Sequence, residues 1–292
     1  MQFKYLNKLI KEIESSSNAN IEKTLEYHIS KRRTLKSVLG FDIYHYSQFT
    51  APTQDIIPFI FESILRETNE FSATFDSFLY QKYEKQFYEK LISTGDGGFI
   101  IFENPLEALV FLLYFNLNLK YFNSFHSKKK TRELIGPLSI RFSITYDYIL
   151  EYQGNSYGPA IINNARIMSM DKLNRLIIDK NTHDWFEKNT FGLENLPNLT
   201  VEMLMKLEYY KYFQLPKRVG WYINDDNLKN VPKINSVDVL KIGESEIKKN
   251  KLDTYNLIVS YSAKLFKNFE LTDTEEFKII SLNLGNYNTS GL

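Results

Sequence analysis

The chain has 292 residues, and 36 Lys plus Arg against 35 Asp plus Glu leave a net charge of +1. That balance excludes recognition of a nucleic-acid backbone by bulk electrostatics. The absence of cysteine excludes a disulfide framework, a thiolate metal site and a cysteine nucleophile.

The first segment, MQFKYLNKLIKEIESSS, is charged and amphipathic and lacks the apolar core of a signal peptide. Apolar residues at helical spacing (Phe3, Leu6, Ile10, Ile13, then Ile21, Leu25, Ile29) predict two helices separated by Ser15–Ser17. Val38–Tyr44 is a short apolar run rich in strand formers and reads as a buried strand. Pro52 and Pro58 stand near the start of a long helical pattern through Ile57, Ile60, Phe61, Ile64 and Leu65.

Gln86–Ile92 and Phe99–Phe102 flank Ser93-Thr94-Gly95-Asp96-Gly97-Gly98, and Asp-Gly between apolar runs predicts a hairpin. Asn104 followed by Pro105 predicts a capped helix to about Phe125. The apolar run Ala108–Phe115 inside it falls short of the roughly 20 residues of a membrane span, so a cytoplasmic protein without a membrane partner is expected. Ser127–Glu133 reads as a basic loop. Alternation from Ile140 to Leu150 predicts a strand, Ala160–Met170 a helix and Arg175–Asp179 another strand. Farther on, Val201–Phe213 and Val219–Ile223 read as strands, and the Lys/Glu-rich Val237–Lys249 as helix. The order from residue 35 is β-α-β-β-α-β-α-β. It predicts an α+β chain with a ferredoxin-like βαββαβ core, extended at both ends. The expected division is a helical segment over 1–34, a catalytic domain over 35–225 and an extension over 226–292.

Two carboxylates stand out. Asp42 ends the first predicted strand and Asp96 tips the hairpin. In a β-α-β-β order these strands are sheet neighbours, so both carboxylates meet at one sheet end. Two carboxylates without His or Cys partners favour a hard cation such as Mg²⁺ or Mn²⁺. Taken singly, a hairpin-tip Asp or a strand-end Asp is more often structural. The four histidines show no metal-ligand spacing.

The motifs in order resemble the class III nucleotidyl cyclases. Phe41-Asp42-Ile43-x-x-Tyr46-Ser47-x-Phe49 is similar to their first metal motif and Ser93-Thr94-Gly95-Asp96-Gly97 to the second. Arg141-x-x-Ile144-Thr145, Tyr157-Gly158-x-x-Ile161 and Ala165-Arg166-Ile167 are similar to the strand and helix that complete the site. The resemblance covers roughly residues 35–180. It implies a nucleoside triphosphate substrate and two divalent cations, Mn²⁺ or Mg²⁺, on Asp42, Asp96 and the Ile43 carbonyl. It further implies phosphate held by the backbone of Tyr44, His45, Tyr46 and Ser47. Arg166 would stabilise the transition state from the second subunit of a homodimer with composite active sites.

Departures bear on the substrate. The family's purine enzymes usually place Lys where this chain has Ile92, and often Asp where it has Asn155. Ile92 cannot donate to a ring atom, whereas Asn155 offers both a donor and an acceptor. The chain is therefore most similar to the bacterial Pycsar pyrimidine cyclases, which make cyclic UMP or cyclic CMP for a separate effector in antiphage defence. UTP is expected over CTP; for Tyr44 and Tyr46 the open alternatives are packing on the base ring and packing in the core or dimer interface. The ribose-positioning Asn of the family is replaced by Ile162; Asn163, three before Arg166, is the candidate substitute, the alternative being that the role is lost. The alternatives are an adenylate or guanylate cyclase with atypical base recognition, and an inactive nucleotide-sensing or dimerisation module.

Overall fold

The computed structural model describes residues 2–15, 18–75, 77–80, 82–83, 91–124, 127–212, 232–247, 250–266 and 277–288. Two helices open the chain, α1 (Gln2–Ser15) and α2 (Asn18–Ser30), at the predicted break. Then follow β1 (Arg33–Ile43), a 3₁₀ turn (Tyr46–Gln48), α3 (Ala51–Phe75) and α4 (Ser77–Tyr80). The hairpin strands are β2 (Ile92–Ser93) and β3 (Gly97–Phe102); residues 84–90, most of its predicted first arm, lie outside the described residues. Next come α5 (Pro105–Asn123), α6 (Lys129–Ile135), β4 (Ile140–Tyr152) and β5 (Asn155–Tyr157). The chain continues with α7 (Pro159–Met170), β6 (Leu176–Asp179), α8 (Lys180–Thr190) and α9 (Val201–Met205). It closes with β7 (Lys233–Ile247), β8 (Asn250–Phe266) and β9 (Phe277–Leu284).

The fold is α+β. Sheet order is β2-β3-β1-β4-β6-β8-β7, with β5 pairing β4 and β9 pairing β8. The first six core elements, β1-α3-β2-β3-α5-β4, form the βαββαβ unit, with β1 antiparallel to both β3 and β4. The α7 crossover then adds β6 parallel to β4. The C-terminal strands continue this sheet through the β6–β8 pair rather than standing apart from it.

Both faces of β1 are covered, which its unbroken apolar run requires. Odd residues face α3 and α5: the Phe41 ring lies 5.7 Å from Phe61, 4.9 Å from Phe115 and 5.9 Å from Phe142, all edge-on. Fully burying each such ring is worth about 1.5–3 kcal/mol. Even residues face α7, where Val38, Phe99, Ile149, Ala160 and Met168 form a second, smaller cluster. Helix α5 is buried along most of its length, and Asn104 caps it, accepting from the Glu107 N–H at 3.1 Å. No helix among the described residues is long and apolar enough to cross a membrane.

Three predicted elements are corrected. Residues 201–205 are helical, not a strand, because Thr200 caps them by accepting from the Met203 N–H. The basic segment 129–135 is a helix ended by Gly136 at φ 80. Residues 237–247 belong to β7, whose Val237 and Val239 alternate with Asp238 and Leu240. The predicted strand Val219–Ile223 lies outside the described residues.

Candidate active site

Asp42 is the penultimate residue of β1 and stands opposite Gly97 of β3, one residue from Asp96. The Ile43 N–H donates to the Asp96 carbonyl at 2.8 Å, tying the hairpin tip to the end of β1. The two acidic residues are thus brought together. This closeness is possible because Gly97 has no side chain: a Cβ there would lie 2.1 Å from the Phe41 carbonyl oxygen.

The register Asp42↔Arg141 sets an arginine on the other flank of Asp42. Arg141 Nε donates to Asp42 Oδ2 at 2.7 Å, and a terminal nitrogen donates to the same oxygen. Its other terminal nitrogen donates to the Asp171 carbonyl just beyond α7. Burial pushes the Asp42 carboxyl above its ordinary range; the Arg141 hydrogen bond and charge pull it down, and the charge of Asp96 adds to the rise. A carboxylate held next to another in a half-buried setting gains from a bound cation. The oxygen donors available, two carboxylates and the Ile43 carbonyl, suit Mg²⁺ or Mn²⁺. Among the described residues there is no cluster of three or more His, Asp or Glu, so other ligands would come from substrate and water.

Beyond β1, Tyr44 donates its N–H to the Ser139 carbonyl at 2.8 Å and its hydroxyl to the Lys172 carbonyl at 3.1 Å. Its backbone N–H is therefore already engaged. His45 stands at φ 60, exposed, with its ring edge-on to Tyr44 at 3.9 Å. Tyr46 and Ser47 lie in the 3₁₀ turn; Tyr46 donates its hydroxyl to the Gln54 carbonyl at 2.9 Å and packs its ring on the main core. Ser47 is exposed.

Helix α7 carries Asn163 and Arg166, both half-buried, with Ile162 exposed. Its neighbour Asn164 is fully buried. It donates to the Val38 carbonyl at 2.8 Å and the Ser143 carbonyl at 3.1 Å, and accepts from the Ser143 hydroxyl. Sequence reasoning quoted Arg141 within a motif without giving it a partner or role, and assigned no role to Asn164. The signal for Arg141 was a charge on the strand predicted to flank Asp42. For Asn164 it was Gly40, a glycine inside a buried strand, which marks close approach by another group.

Ile92 and Asn155, on β2 and β5, line one cavity of about 520 Å³ with Lys36, Ile101, Glu103 and Glu151. It lies on the α7 side of the sheet, toward the start of β1. Lys36 and Asp42 are separated by about 20 Å of strand.

No protein-family profile matches the sequence, and no curated protein matches it. Solved structures of similar shape include an adenylate/guanylate cyclase/hydrolase from Silicibacter pomeroyi, at 13% identity and TM-score 0.42, over 77% of this chain and 96% of that one. The adenylyl cyclase CyaB from P. aeruginosa is 10% identical at TM-score 0.43, over 77% and 94%. The guanylate cyclase domain of RhGC from Catenaria anguillulae, solved with GTP, is 12% identical at TM-score 0.34, over 77% and 96%.

Proposed function

We propose that this chain is a nucleotidyl cyclase, converting UTP, and less readily CTP, to the 3′,5′-cyclic nucleotide and pyrophosphate. The observation that carries this reading is the bond from Ile43 N–H to the Asp96 carbonyl, which sets Asp42 and Asp96 side by side at one sheet end. The order of motifs around them, which resembles the class III cyclases, supports it further.

Asp42, Asp96 and the Ile43 carbonyl would hold the two divalent cations. When bound, these supply the charge that acidifies the ribose 3′-hydroxyl and neutralises the triphosphate. The 3′-oxygen bonds to the α-phosphorus in line, the bond to the β-phosphate oxygen breaks, and the hydroxyl proton passes to water. The turn His45–Ser47 would bind phosphate oxygens. Arg166 would meet the charge that develops on the transferring group, a role suited to a permanently charged, bidentate donor. Asn163, half-buried on the same helix, would orient the ribose. Catalysis of this kind is mostly positioning and electrostatics.

The residues aligned with base recognition, Ile92 and Asn155, line a cavity that reaches Lys36, at the far end of β1 from Asp42. This separation favours a twofold dimer in which the carboxylates of one copy meet the cavity and Arg166 of the other. In this reading residues 35–225 form the catalytic unit. The product would be a second messenger acting on a separate effector in antiphage defence of the Pycsar type.

The test is incubation of the purified protein with each of the four nucleoside triphosphates and Mn²⁺. Cyclic UMP with equimolar pyrophosphate is expected, lost in Asp42→Ala and Asp96→Ala. A purine cyclic nucleotide as main product would remove the pyrimidine assignment. No pyrophosphate from any substrate would leave a nucleotide-sensing or dimerisation module.

A further inference from the structure

The cavity beside Ile92 and Asn155 contains an ion pair that the cyclase reading does not use. The Lys36 ammonium donates to Glu103 Oε1, and both side chains are largely shielded, at 16% and 30% exposure. Glu103 is fixed from behind. Its backbone N–H donates to the Tyr83 hydroxyl at 2.7 Å and to Glu107 Oε2 at 3.1 Å. Glu107 is fully buried and accepts further from the Tyr210 hydroxyl at 2.8 Å and Asn104 Nδ2 at 3.0 Å. Lys82 lies 3.9 Å from Glu103 Oε2. The Glu103 backbone is thus fixed at the cavity wall, and its carboxylate is held between Lys36 and Lys82.

Resting on the cyclase reading, we propose that Lys36 and Glu103 are the base-reading pair of this cavity and that, of the two pyrimidines, they select uracil. The pair retains capacity for a ligand, because an ammonium has three donors and a carboxylate about four acceptor sites. It therefore presents one donor beside one acceptor. The four bases differ in how they meet such a pair. Uracil shows acceptor, donor, acceptor along its edge, O4, N3–H and O2. A carboxylate opposite N3–H is flanked on both sides by oxygens, so the ammonium finds an acceptor on either side. Cytosine shows donor, acceptor, acceptor and satisfies the pair only when Lys36 lies on the ribose side. Adenine, whose N6–H lies between N1 and N7, and guanine, with O6 beside N1–H and N3 beside N2–H, also fit in either order, so the discrimination this pair supplies is between the two pyrimidines. Of the two pyrimidines, uracil is the one that fits regardless of order. Ile92 and Ile101 supply the apolar wall, and the Asn155 amide at the mouth can donate to the remaining oxygen.

The experiment compares wild type, Lys36→Met and Glu103→Gln, with Glu103→Asp as a charge-keeping second variant, each first shown to unfold cooperatively. Calorimetric binding of UMP, CMP, GMP and AMP needs no turnover, so it reads base selection independently of cyclisation. Cyclic product from the four triphosphates is measured in parallel. Wild type is expected to prefer UMP over CMP by about tenfold or more, the scale of a charged hydrogen bond. Lys36→Met and Glu103→Gln bring that ratio close to one, and Glu103→Asp retains part of it. An unchanged ratio in folded Lys36→Met and Glu103→Gln, or no binding of any nucleotide, overturns the proposal. Cyclic UMP formation with a ratio indifferent to both changes overturns this proposal alone. A variant-sensitive UMP preference without any cyclic product overturns the cyclase reading alone.

Discussion

Gly40 of β1 and Asn164 of α7 occupy one space: a Cβ on Gly40 would lie 2.0 Å from Asn164 Oδ1. The missing side chain lets a fully buried amide enter the sheet surface and clamp β1 to β4, through the Val38 and Ser143 carbonyls. This contact sets the height of α7, and with it Asn163 and Arg166, above the strand that ends in Asp42. Gly40→Ala is expected to cost about 1–3 kcal/mol by overpacking. Asn164→Ala should cost a similar amount by removing its buried hydrogen bonds to the Val38 and Ser143 carbonyls and from the Ser143 hydroxyl. The double variant should cost clearly less than the sum, because the clash disappears with the amide. Urea unfolding of the four proteins measures this; strict additivity would mean the two residues do not share the space.

Asp179 is fully buried at the N-cap of α8, accepting from the Thr182 N–H at 2.9 Å and the Tyr146 N–H at 3.3 Å. Burial pushes its carboxyl up to about 7, from 3.8. Below pH 3.8 the group is protonated in both folded and unfolded chains and contributes no pH dependence. As pH rises toward 7 the unfolded chain releases the proton first, so this group lowers stability progressively, and the full cost is present above pH 7. Asp179→Asn keeps a good N-cap residue and removes this component of the slope. Melting temperatures of both proteins at pH 5 and pH 8 should show a smaller drop for the variant; equal drops would assign the slope to other groups.

Much of the core was legible because its signals are local. Asp-Gly between Ile92 and Phe99 marks a turn, Asn104-Pro105 marks a helix start, and the alternation from Ile140 marks a strand. The pairing of Asp42 with Asp96 followed from those elements alone. What sequence reading left without a partner or role depends on residues distant in the chain. Arg141 is 99 residues from Asp42, and Asn164 pairs with a carbonyl 126 residues away. Composition misled in β7, where Lys and Glu suggested helix, although Val237 and Val239 already alternate with Asp238. Burial on both sides of a sheet also hides the alternation. Ser143 and Thr145 of β4 are as buried as Ile144, because α7 covers one face and α5 the other.

Arg141 stands where a cation bound to Asp42 would compete with it. Its guanidinium holds Asp42 Oδ2 and reaches the Asp171 carbonyl. Removing that positive charge leaves the carboxylate free for a divalent ion. Arg141→Met should tighten Mn²⁺ binding about tenfold near pH 8, equivalent to about 1.4 kcal/mol. Calorimetry without nucleotide measures it. Weaker Mn²⁺ binding in a folded variant would show that Arg141 orients the carboxylate for the metal instead of competing.

The C-terminal residues buttress the same place from behind. Asn286 donates its amide to the Leu173 and Asn174 carbonyls at 2.9 and 2.8 Å, and its own carbonyl accepts from Asn256. The loop it holds carries the Asp171 and Lys172 carbonyls that receive Arg141 and Tyr44. Asn286→Ala removes two hydrogen bonds, about 1 kcal/mol each. It should lower kcat with little change in KM, since the residue is remote from the base cavity. An unaltered kcat in a variant destabilised by that amount would confine Asn286 to stability.

A site shared between two copies makes a prediction that a single-chain site does not. Arg166→Ala and Asp96→Ala should each be inactive alone. In a mixed dimer of the two, one composite site collects both lesions and the other collects none. Co-refolding the two variants at equal concentration should therefore restore cyclic-nucleotide formation, with KM unchanged from wild type because the intact site has every original residue. Restoration should disappear when both lesions are placed on one chain and that chain is refolded with itself. If mixing Arg166→Ala with Asp96→Ala restores nothing while the two chains demonstrably exchange subunits, Arg166 serves the carboxylates of its own chain.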